Sequence, residues 1–158
     1  MRTRIIFLLL LALCGCAKEG RHFESDDAIK VWFGSHEDQM KSVVNTFIGN
    51  PGLERVELEH SESPTNAAVS SVQSSLKDLN LILVYASYNH SESPPALIKV
   101  SFLVERWGIG VSGGGVAITW FTDKAVGISG RVSCKELIPL ASAGWYIDKI
   151  SSESKCQR

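Results

Sequence analysis

Ile98-Lys-Val-Ser-Phe-Leu-Val-Glu-Arg-Trp107, Gly108-Ile-Gly-Val-Ser-Gly-Gly-Gly115 and Val116-Ala-Ile-Thr-Trp-Phe121 follow one another without a break. Ile98, Val100, Phe102 and Val104 alternate with Lys99, Ser101, Leu103 and Glu105, a period of two that predicts a long strand reaching Trp107. The glycines turn the chain and the second apolar run brings it back. The stretch therefore predicts a β-hairpin, its glycines supplying positive φ in a twisted turn. Antiparallel pairing at the centre of the chain sets the fold class.

Upstream, Ile29, Trp32, Phe33, Met40, Val43, Val44, Phe47 and Ile48 recur at offsets of three, four and seven, the apolar face of a helix. Ser25 and Asp26 supply its N-cap and Gly49-Asn50-Pro51 ends it. Gly34-Ser35-His36 interrupts the pattern and predicts two helices meeting at a bend. Leu53 to Glu59 alternates, with Val56 and Leu58 on one face and Arg55, Glu57 and Glu59 on the other, as a half-exposed strand does. Ser63-Pro64 then predicts a helix start, with Pro at its first position. Ala68, Val69, Val72, Leu76 and Leu79 form the inner face of that helix, which Asn80 ends.

Leu81-Ile-Leu-Val-Tyr-Ala86 is continuously apolar, the pattern of a strand covered on both faces. Downstream of the hairpin, residues 122–142 show no period, and Trp145-Tyr-Ile-Asp-Lys-Ile150 predicts the last strand. The expectation is one α+β domain at residues 23–158, with two or three helices packed on an antiparallel sheet of about five strands. This order, with the final Gly144-Trp-Tyr-Ile-Asp-Lys, resembles the cone fold of nuclear-transport-factor-like proteins. That resemblance implies a pocket between sheet and helices.

The first sixteen residues address location. Arg2 and Arg4 precede the apolar core Ile5 to Leu13, which is too short to span a bilayer as a helix, and Leu13-Cys14-Gly15-Cys16 closes it. This ending resembles the lipobox of bacterial lipoproteins, with small Gly15 before the cut and Cys16 as the retained residue. Cys14 competes, but Leu13 is too large for the small-residue slot before it. The resemblance implies a signal peptide at 1–15, a covalent lipid on Cys16 and a short lipidated tether at 16–22. Ala17, rather than Asp, resembles the outer-membrane sorting pattern. The implied place is the cell envelope, facing the periplasm, with the lipid bilayer as a partner through acyl chains.

Removal of residues 1–15 takes two of the 16 basic side chains and leaves 14 against 17 acidic ones, a mature charge of −3. No basic cluster exists in the sequence, which argues against a nucleic-acid partner and against electrostatic attraction to anionic lipid. Cys134 and Cys156 remain as a pair, for which an oxidising periplasm makes a disulfide the expectation.

Motifs for chemistry fail their context. Gly108, Gly110 and Gly113 match the dinucleotide fingerprint, and Gly110-Val-Ser112-Gly-Gly114 matches a nucleophile elbow. Both mechanisms need a helix after the glycines, where the sequence reads strand. His60-Ser-Glu-Ser-Pro64 recurs as His90-Ser-Glu-Ser-Pro94. Strand ends that converged would bring His60, Glu62, His90 and Glu92 together as candidate metal ligands, while polar turns explain the same letters. Trp32, Trp107, Trp120 and Trp145 could line a pocket or pack the core. Periodicity favours the core for Trp32 and Trp120, and Trp107 beside the glycines is the expected exposed one.

The sequence therefore leads to a membrane-anchored envelope lipoprotein with a non-enzymatic binding or structural role, an envelope protein being a candidate partner. A small-ligand-binding pocket and a His/Glu metal site are the alternatives. No cofactor beyond the lipid is expected. For the disulfide, the mature protein should show no thiol to alkylating reagent before reduction. Cys156→Ser should expose one and lower stability by about 3 kcal/mol in denaturant titration.

Overall fold

The computed structural model describes residues 19–58, 66–107, 114–122 and 135–150. The elements are β1 (Glu19–Gly20), α1 (Asp26–Gly49), β2 (Arg55–Glu57), α2 (Ala67–Leu79), β3 (Leu83–Asn89), β4 (Ala96–Trp107), β5 (Gly114–Phe121), β6 (Lys135–Pro139) and β7 (Trp145–Ile150). The strands form an antiparallel sheet in the order β2-β3-β4-β5-β7-β6, and β1 pairs with the far end of β4. Two helices pack on this sheet, an α+β architecture.

The expected hairpin is β4 with β5, Phe102 opposite Ile118 and Val100 opposite Trp120. Pairing carries the same face outward. Val84, Phe102, Ile118 and Ile147 form one cross-strand row, and Ala86, Val100, Trp120 and Trp145 the next. Phe33, Met40, Phe47, Leu76 and Leu79 of the helices join these rows in one buried core. Burying side chains of this size contributes roughly 1.5–3 kcal/mol each, which makes this layer the main source of stability.

Helix α1 begins where Ser25 Oγ accepts from the Ala28 amide at 3.2 Å, with Asp26 and Asp27 favourably placed in its first turn. It runs unbroken for 24 residues, so the bend expected at Gly34-Ser35-His36 does not form. A glycine inside a helix costs about 1 kcal/mol relative to alanine. Phe33 and Met40, buried on either side of the weak point, outweigh that cost.

Helix α2 starts at Ala67; Pro64, the expected first position, lies outside the described residues. Asn66 is the cap, its Oδ1 accepting from the Ala68 amide at 2.8 Å. Asn80 ends the helix in the left-handed region, as expected. The Leu81 amide then reaches back to the Leu76 carbonyl at 2.9 Å, and both leucines are fully buried. Leu81 is thus a helix-closing residue and not the start of a strand.

Two further expectations are corrected. Strand β3 is not covered alike on both faces: Val84, Ala86 and Tyr88 are buried, while Leu83, Tyr85, Ser87 and Asn89 are half-buried. The helices lie on one side, so an apolar run does not imply two covering layers. The aperiodic stretch after the hairpin also contains β6, the terminal strand in the sheet order. A five-residue edge strand ending in Pro139 is too short to show a period, and proline suits such an edge.

The glycines also act differently from expectation where they are described. Among the described residues Gly144 is the glycine with positive φ, at 82°, in the turn that leads into β7. Gly115 instead permits close approach, since a Cβ there would sit 2.7 Å from the Glu105 carbonyl oxygen. That contact lies at the register shift between Leu103 and Glu105, a bulge that bends β4.

Tyr88 fastens the end of α1 to β3. Its hydroxyl lies 3.0 Å from the Phe47 and Leu53 carbonyls and 3.4 Å from that of Asn50. Burial, with Glu54 nearby, raises its pKa above the ordinary 10.0. Folding thus favours the protonated phenol, and this contribution is present below pH 10 and lost as pH rises beyond it. Tyr88→Phe should cost about 1–2 kcal/mol at neutral pH and make the alkaline loss of stability shallower in denaturant titrations.

Candidate functional site

Strand β4 is 12 residues long, and β3 pairs with it only as far as Leu103. Beyond that point β1 takes the same edge, Gly20 opposite Glu105 and Glu19 opposite Arg106. The chain therefore joins the sheet within residues that read as tether.

Glu105 holds the segment between β1 and α1. Its carboxylate accepts from the Phe23 amide at 2.9 Å and makes a short contact with His22 Nδ1, and its side chain is only 14% exposed. Hydrogen bonds to a charged group in such a site are worth about 1.5–3 kcal/mol. Next to it, the Arg21 guanidinium lies 5.1 Å from the Trp32 ring and 5.8 Å from the Phe23 ring. Phe23 tilts against Trp32 at 5.5 Å, and His36 stacks on Trp32 at 4.6 Å. His36 Nδ1 lies 2.8 Å from the Trp32 carbonyl, a contact that requires the proton on that nitrogen. At the start of α1, Lys149 Nζ donates to Asp26 Oδ2 at 2.8 Å and ties the helix to β7.

Basic, aromatic and acidic groups thus converge on the first residues of the body. This arrangement clamps an incoming chain segment and fixes its direction. Arg21 Nε and Trp32 Nε1 are buried in it without an acceptor among the described residues.

A second polar group lies on the sheet face away from the helices. Ser101, Thr119 and Asp148 are fully buried, and Thr119 Oγ1 donates to Ser101 Oγ at 3.0 Å. Thr119 opposes Ser101, while Asp148 sits opposite Ala117 and Leu137. Sequence reading missed this stripe. Its signal was available: three polar residues occupy same-face positions on three adjacent strands.

Cys16, Cys134, Cys156, His60 and Glu62 lie outside the described residues, as do Gly108 to Gly113 and the side chain of Trp107. His90 and Glu92 are exposed and engaged locally. His90 Nε2 lies 3.5 Å from Glu54 Oε1, and Glu92 accepts from Asn89 Nδ2 at 3.2 Å. Asn89 Oδ1 also accepts from the Ser91 amide, so the second repeat copy is a turn built on Asn89. Among the described residues no group of three His, Cys, Asp or Glu could hold a metal.

Trp32 and Trp145 are buried in the core and Trp120 packs against it. Strand β5 occupies the place where both glycine motifs need a helix. Among the described residues no helix is long and apolar enough to cross a membrane. No family model, curated protein or solved structure matches this chain.

Glu105→Ala should leave the Phe23 amide without its acceptor. Hydrogen exchange should then accelerate selectively at residues 21–23, with a global loss of about 2 kcal/mol. Unchanged exchange there would show that the carboxylate does not hold the segment.

Proposed function

We propose that this chain is a lipid-anchored protein of the bacterial cell envelope with a non-enzymatic binding or structural role. Acyl chains on Cys16 attach it to the outer membrane, facing the periplasm, and Cys134 pairs with Cys156. The observation that carries this reading is the run from Leu13 to Glu19. A lipobox-like Leu-Cys-Gly-Cys is followed by only Ala17 and Lys18 before the chain enters the sheet as β1. A body that begins so soon after the retained cysteine would lie directly at the lipid surface.

Two or three acyl chains make such attachment stable, because each buried CH₂ contributes about 0.8 kcal/mol and one chain alone is marginal. The absence of a basic cluster in the sequence fits attachment by lipid rather than by charge. The non-enzymatic part of the reading is supported by the glycine motifs, whose chemistry needs a helix where β5 runs.

Expression of the full chain in a Gram-negative host with an alkyne analogue of palmitate tests this reading. Label should appear on the wild type and on Cys14→Ser, and disappear from Cys16→Ser, which should accumulate as the longer precursor. Membrane separation should place the labelled protein in the outer-membrane fraction. Label that follows Cys14, or no label on the wild type, would sink the proposal.

A further inference from the structure

Resting on that anchored reading, we infer that the protein stands on the bilayer by one defined pole, the end of the sheet where β1 meets β4. The partner of this surface is the phospholipid headgroup layer. Three residue steps separate Cys16 from Glu19, and a trans chain covers at most about 3.6 Å per residue, so the link spans no more than about 11 Å. Glu19 is already paired with Arg106, one residue before the end of β4 at Trp107. Glu19 and the end of β4 beside it are therefore held close to the headgroup layer, the interfacial region being roughly 6 Å deep on each side.

Register identifies what shares this pole. Arg106 and Trp107 pair with Gly115 and Gly114, and Gly115 with Ile150. The start of α1 belongs to the same end through Asp26 and Lys149. Arg106 is exposed and its guanidinium is available to phosphate at this end, while the half-buried Arg21 is engaged by the Trp32 and Phe23 rings. Glu24 is exposed beside them, which keeps the pole from being strongly basic.

The other pole carries the end of α1, the Asn89-based turn and the Ser142–Gly144 turn. Asn89 pairs with Ala96 and Trp120 with Trp145, at the opposite ends of the same strands. From Ala96 to Trp107, β4 covers roughly 35 Å at about 3.3 Å per residue. The second His-Ser-Glu-Ser-Pro copy is thus presented away from the membrane.

The clamp makes this a fixed orientation and not only a tether length. With residues 19–23 held by β1 pairing, Glu105 and the Arg21–Trp32 stack, the body can pivot only about the short link that precedes Glu19. Without that hold, the link would lengthen and either pole could approach the lipid.

The test uses the full lipidated chain in phosphatidylethanolamine/phosphatidylglycerol vesicles. A fluorescent NBD label is placed on Glu24→Cys or on Glu92→Cys, with background from the unsubstituted chain subtracted. Flotation with the vesicles is measured first, and its failure would count against the lipid anchor itself. For floating protein, a headgroup-attached nitroxide should quench the label at 24 several-fold more than the label at 92. Equal or reversed quenching would overturn the orientation while leaving the anchor standing. A flexible Gly-Ser insert between Lys18 and Glu19 should collapse the difference without changing flotation. A difference that survives the insert would overturn the short link as its cause.

Discussion

The molecule depends on the pairing of β4, which is longer than each of its neighbours. Over its first half it lies between β3 and β5 and contributes Val100 and Phe102 to the core. Over its second half it lies between β1 and β5. A strand that outruns one neighbour leaves backbone donors and acceptors that need partners. The chain fills this edge with its own first described residues. The same strand thereby positions the core under the helices and the point where the N-terminal segment enters.

The bulge between Leu103 and Glu105 connects these two tasks. It brings the Glu105 carbonyl against Gly115, and Glu105 itself serves the entering segment. Any side chain at Gly115 would push β5 from β4 at the residue that holds Phe23 and His22. Position 115 and position 105 are therefore coupled through backbone contact, although one has no side chain. Changes at two such positions are not energetically independent.

What could be read from the sequence was whatever repeats over many residues. The apolar face of α1, the alternation in β4 and the return of β5 each give several matches to one period, so single exceptions such as Gly34 do not erase them. Elements of two or five residues carry no such redundancy. β1 and β6 were invisible for that reason. The run from Leu81 misled because Leu81 closes α2 while Leu83 and Tyr85 face the half-covered side. Hydrophobicity records that a residue prefers burial, without saying which neighbour provides it. For the site, Glu105 looked like the polar half of an alternating strand, and only β1 pairing makes its carboxylate a clamp. Ser101, Thr119 and Asp148 were hidden likewise, since their common face becomes visible only once the registers of three strands are known.

Anchor and clamp differ in strength, and that difference divides their roles. An acylated Cys16 would hold the membrane through many CH₂ groups at about 0.8 kcal/mol each. The clamp consists of hydrogen bonds to one carboxylate and a cation–π stack, worth about 0.5–2 kcal/mol for the stack and a few more for the carboxylate. The clamp must therefore open long before the lipid leaves. On the anchored reading, location would be set by the acyl chains alone, whereas orientation would be set by the weaker contacts and would respond to anything that competes for Glu105 or for Arg21. On the same reading, a partner that engaged the entering segment would release that orientation without removing the lipid anchor.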